Sequence, residues 1–76
     1  MKFIPLAIYD SQHLWGALID PYQFVISRSE DRYLASWKHV AAREAPAVFI
    51  EGGPFRSLQA AESACRRMYK TLMKPN

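Results

Sequence analysis

Leu58, Ala61, Cys65, Met68 and Leu72 recur at alternating intervals of three and four residues near the end of the chain. At ~100° per residue, that spacing draws one narrow apolar stripe along a helix. Ser57 stands where an N-cap belongs, and Pro75 stands where the helix has to have stopped. The pattern therefore predicts a helix from Ser57 to about Met73. Gln59, Ser63, Arg66, Arg67, Lys70 and Lys74 fall on its opposite side. A helix with a single apolar stripe buries that stripe against another layer, so the preceding residues are expected to supply a sheet.

Those residues do read as strands. Residues 3–9 form an apolar run in which Pro5 cannot donate a ladder hydrogen bond, which suits an edge strand or a bulge. Residues 14–19 and 24–26 follow, separated by the Asp20-Pro21 turn. Residues 47–50 are short, apolar and partly β-branched, and Gly52-Gly53-Pro54 ends them. Residues 29–44 fit two patterns. As a helix, Ser29 caps it and Tyr33, Leu34, Trp37, Val40 and Ala41 share a face. As a hairpin, residues 29–32 turn and Tyr33, Ala35 and Trp37 line one side of a strand. The helical spacing takes in more residues and is the preferred reading. The expected fold class is α+β, with three to four antiparallel strands covered by the last helix and a second helix at 29–44.

Seventy-six residues make a single domain with a modest core. One cysteine cannot form an internal disulfide, and small secreted domains usually carry several. The N-terminal apolar run is broken by Pro5, ended by Asp10, and shows no cleavage signal. The nearly uncharged stretch from Ser11 to Ile19 is far short of the ~20 residues that cross a bilayer. The expectation is a soluble cytoplasmic protein with no membrane contact.

Charge is unevenly placed. Residues 1–55 hold five basic and six acidic side chains, a balance of −1, while residues 56–76 hold five basic and one acidic, a balance of +4. Arg66, Arg67, Lys70 and Lys74 suit a nucleic-acid backbone or an acidic protein surface. Cations in the last turns also complement the helix dipole.

Catalytic constellations are harder to find. Cys65 lies inside the apolar stripe, where a thiol is a core residue rather than a nucleophile. His13 and His39 show no ligand spacing with each other or with Cys65, so no metal site is expected. The acidic residues are scattered, and no Gly-x-Ser-x-Gly elbow occurs. Gly52-Gly53-Pro54-Phe55-Arg56-Ser57 precedes a helix start and reads as a plain strand-to-helix turn. The expectation is a protein without enzymatic activity or cofactor.

The aromatic share of 13% is high for so small a core. Tyr9, Trp15 and Tyr22 are accordingly expected to contact a protein partner, with self-association through the same patch as a further use.

The stretch from Val48 to Ser57, continuing through Ala61-Glu62 and Ala64, resembles the strand, Gly-Pro-Phe turn and helix of SPOR domains over about residues 48–69. That resemblance implies glycan binding, but the first half of the chain has no Gly-x-Phe copy. The last helix, with Ser57, Ala61-Glu62 and Ala64-Cys65, is similar to the final helix of double-stranded RNA-binding domains. That family places lysines at the helix start, where Leu58 and Gln59 stand here. In style the chain is similar to phage and mobile-element accessory proteins, including anti-CRISPR inhibitors. The expected function is occupation of a protein partner's surface, with nucleic-acid binding through the basic helix as the alternative.

Overall fold

The computed structural model describes the backbone of residues 1–9 and 12–74 and the side chains of residues 1–6 and 13–74. Five strands form one antiparallel sheet: β1 (Ile4–Tyr9), β2 (Gln12–Ile19), β3 (Tyr22–Ser29), β4 (Arg32–His39) and β5 (Val48–Phe49). Helix α1 (Leu58–Leu72) follows. Strand order in the sheet is β1-β2-β3-β4-β5, so every strand pairs with its neighbour in sequence. Short connections make such a meander the simplest arrangement.

The segment 29–44 is not a helix. Residues 32–39 are a full strand, with Phe24 opposite Trp37, Ile26 opposite Ala35, and Arg28 opposite Tyr33. The helical spacing of Tyr33, Leu34 and Trp37 was real but local. The competing two-residue period of Tyr33, Ala35 and Trp37 gains an eight-residue ladder against β3 and buries Ala35 completely. Cross-strand pairs of this kind override the propensity of a short segment.

Alternation divides the sheet into two faces. On one face stand Trp15, Ala17, Tyr22, Phe24, Ile26, Tyr33, Ala35 and Trp37, in rows that the pairing register aligns. Helix α1 lies over this face, packed mainly on β4 and β3. Its buried residues are Ala61, Ala64 and Cys65, with Leu58, Met68, Tyr69 and Leu72 packed at their margins. The predicted stripe is present and wider than predicted, with Ala64 on one flank and Tyr69 on the other. The Tyr69 ring meets Phe24 edge-on at 6.3 Å between centroids.

The helix begins where its sequence said it would. Ser57 is extended, and its Oγ accepts a 3.0 Å hydrogen bond from the Ala60 N–H. Met73 closes the other end. Between β5 and α1, Ile50 donates to the Ala35 carbonyl, and Phe55 and Tyr33 exchange both backbone hydrogen bonds. Phe55 then tucks beneath the Gly52-Gly53 turn, where a Cβ on Gly53 would come within 3.2 Å of its ring. Gly52, at φ 100°, is glycine because that turn needs a positive φ.

The β3–β4 connection contains a mismatch. Glu30 has φ 59°, the left-handed region that costs a residue with a Cβ roughly 1–2 kcal/mol. Glu30→Gly is expected to raise the unfolding free energy by up to about 1 kcal/mol, since relief of that cost is partly offset by glycine's freedom in the unfolded chain. Urea denaturation of the two proteins measures this. A less stable variant would mean that the Glu30 side chain holds the turn by other means.

Candidate interaction site

The candidate partner residues separate in space. Trp15 sits on β2 and Tyr22 two rows away on β3, and they belong to different aromatic clusters. Tyr9 ends β1, and its side chain lies outside the described residues.

Trp15 stands on the helix-side face of β2, outside the β3–β4 pair on which α1 is seated. His13 stacks beside it, with centroids 6.1 Å apart and planes 22° from parallel. On its other side Tyr33 lies 5.9 Å away at 45°. The Arg28 guanidinium covers the Tyr33 ring at 5.8 Å, and its Nε donates to the Glu30 carbonyl at 2.8 Å. The register builds this row: His13, Arg28 and Tyr33 are successive partners across β2, β3 and β4. His13 is exposed, and Trp15, Arg28 and Tyr33 are half-buried. The rings are thus held by mutual contacts while each side chain keeps part of its surface in solvent.

Tyr22 belongs to the opposite end of the same face. It meets Trp37 edge-on at 5.9 Å and His39 edge-on at 5.5 Å. The Ala41 N–H donates to His39 Nδ1 at 3.1 Å. This second cluster closes the β2–β3 end of the core. Trp37 Nε1 is buried there without a hydrogen-bond partner among the described residues.

Arg66, Arg67 and Lys70 are exposed on the outer side of α1, and Lys74 is exposed just beyond its end, as expected. Among the described residues no carboxylate lies within ion-pair distance of any of the four. Arg67 also borders an open groove of about 340 Å³ between β5 and α1, whose other walls include Val48, Phe49 and Met68.

No cluster of three or more metal-ligating side chains occurs among the described residues. No helix among them is long and apolar enough to cross a membrane. Comparison of the chain with family models, with curated proteins and with solved structures found no match.

Cys65 is fully buried at the centre of the helix–sheet contact. Burial, reinforced by nearby Glu62 and opposed by Arg66, pushes its thiol up to about 11 from 9.0. A thiol held in that state is a packing group, because the nucleophile is the thiolate. The sign of the pH effect follows. Above pH 9 the unfolded chain's thiol ionises while the folded one keeps its proton, so its contribution to stability declines as pH rises from about 9 to about 11. Cys65→Ala removes that dependence. Its cost of about 1 kcal/mol at neutral pH is expected to shrink across this window when both proteins are unfolded in urea. A constant difference would mean that the thiol is not held protonated by the fold. Native Cys65 is also expected to react with a thiol reagent only as fast as the domain opens.

Proposed function

We propose that this protein acts without catalysis, by occupying a surface of a protein partner through the row His13–Trp15–Tyr33–Arg28. The observation that supports this reading is the packing of that row: His13 stacked on Trp15, Trp15 tilted against Tyr33, and the Arg28 guanidinium over the Tyr33 ring, across strands β2 to β4. Trp, Tyr and Arg are the residue types that dominate binding energy at protein interfaces, and rings already fixed in place lose little entropy on docking. The partner surface that suits this row offers an apolar recess for the indole edge and a carboxylate for Arg28. Inhibition by occupation, in the manner of an accessory protein, is the biological form that such binding would take.

Arg28→Glu reverses the charge at the rim and leaves the Trp15–Tyr33 contact in place. Capture of a partner from the source cell, followed by titration of that partner with the purified chain, is expected to show binding weakened about tenfold or more by this substitution. Undiminished binding would remove the row from the interface.

A second reading has its own support. Arg66, Arg67, Lys70 and Lys74 are exposed cations with no carboxylate at ion-pair distance among the described residues, as phosphate contacts require. If they bind DNA or RNA, substituting Arg67 and Lys70 by Gln is expected to lower the salt slope of affinity by roughly one unit per lost contact. A mobility-shift titration at two salt concentrations measures this, and no shift at low salt rejects it. In that event the cations serve only the helix dipole.

A further inference from the structure

The face of the sheet opposite α1 is apolar and bare. It carries Ile4 (54% exposed), Leu6 (50%), Leu18 (70%), Leu34 (39%) and Phe49 (66%), with Leu14 and Val25 half-buried between them. Pairing aligns these residues on one side: Leu14 with Ser27, Gly16 with Val25, Ser27 with Leu34, and Ser36 with Phe49. Gly16 belongs to the same surface. The Leu6 side chain lies flat over it, so close that a Cβ on Gly16 would sit 2.7 Å from a Leu6 methyl. The result is an aliphatic sheet face with a shallow recess of about 110 Å³ among Ile4, Leu6, Gly16 and Leu18, unlike the aromatic row on the other side.

We infer that a second copy of this chain covers this face, giving a symmetric dimer with the two sheets packed against each other and the two helices outside. Three features of the molecule select that occupant.

The first is area. Three strands of eight residues, flanked by six-residue β1 and two-residue β5, make a face of roughly 500 Å² at ~3.4 Å per residue and ~4.8 Å per strand, and two such faces amount to roughly 1,000 Å² by plan alone. Side-chain relief adds to that figure, which already stands at the threshold of a specific interface.

The second is charge. The chain carries +3, and residues 56–76 hold a balance of +4, so two copies meeting through their helices would repel. Across the bare face the repulsion is smaller, since the strand charges on that side are Arg32 and Lys38 alone among the described residues. Its middle is aliphatic, Ser and Gly, and its charged side chains lie toward the ends of β4. One of them, Lys38, is drawn off by a 2.7 Å hydrogen bond from Nζ to the Arg43 carbonyl. Stacked sheets sit ~10 Å apart. Each basic helix lies one layer further out and faces away, beyond the ~8 Å screening length at physiological salt.

The third is the core. The fully buried large side chains among the described residues are Phe24, Ile26 and Cys65. A domain with so small an interior gains stability by associating. An isologous contact also closes on itself, so one apolar face produces a dimer rather than a fibre.

This assignment does not rest on the aromatic row, which lies on the other side of the sheet. Sedimentation equilibrium of the full chain, from low-micromolar to sub-millimolar concentration, is expected to give twice the 8.7 kDa chain mass. Leu18→Glu places a charge on a mostly exposed position and is expected to weaken the dimer about a hundredfold, because symmetry counts the change twice. Ser27→Lys, at the middle of the face, removes no packing and is expected to act in the same direction. Circular dichroism verifies that each variant stays folded. Arg67→Glu, on the outer side of α1, is expected to leave the dimer intact. A chain that stays monomeric throughout would overturn the inference. So would growth past the dimer, a dimer insensitive to both Leu18→Glu and Ser27→Lys, or one that Arg67→Glu disrupts.

Discussion

The close seating of α1 on β3 and β4 is the contact on which the rest of the structure depends. Small residues make it possible. Ala35, Ala61, Ala64 and Cys65 are all at most 2% exposed, and they bring the helix down onto the rings and branches of Phe24 and Ile26. A larger side chain at any of these positions would lift the helix and open the interior, because packed cores have little room for added volume. The same contact falls on β4 and β3, so Trp15 on β2 stands outside the strands that seat the helix. It also keeps the Arg66, Arg67 and Lys70 side chains outward, since they sit opposite the seated stripe.

Helix α1 was legible because its signals are local. Ser57 caps through its own side chain, and the apolar spacing from Leu58 to Leu72 needs no knowledge of the sheet. Strand β4 was not legible for the converse reason. Its residues satisfy helical and extended periods over the same few positions, and the deciding energy comes from eight pairings with β3. Strand β5 was recognisable from its β-branched, Gly-bounded character, although only Val48 and Phe49 are paired as a strand.

The sites divide in the same way. The cations of α1 follow directly from helical spacing. The row of His13, Trp15, Arg28 and Tyr33 joins residues up to 20 positions apart, and only the register of three strands brings them together. Trp15 was recognisable as a candidate by residue type alone; Tyr33 carried the same aromatic signal but also fits the apolar face expected of residues 29–44, and Arg28 carried none. The bare face was hidden for a further reason. Strand β2 alternates Leu14, Gly16 and Leu18 with Trp15, Ala17 and Ile19, so both of its faces are apolar. Alternation sorts such residues into two sets but does not say which set the helix will cover.

The edges of the sheet explain why association is expected through a face and not by strand addition. An exposed edge strand offers unpaired backbone groups to another chain, and proteins limit this with proline, bulges and very short edge strands. Both edges here use such devices. On β1, Pro5 has no N–H to offer, and the register shifts between Pro5 and Ile8. On β5 only two residues pair before the chain departs into the Glu51–Pro54 turn. Lateral growth therefore has little backbone to work with at either side. The aliphatic face remains as the large surface that water covers at a cost, and sheet-on-sheet packing is the arrangement that removes that cost while keeping both edges and both basic helices in solvent.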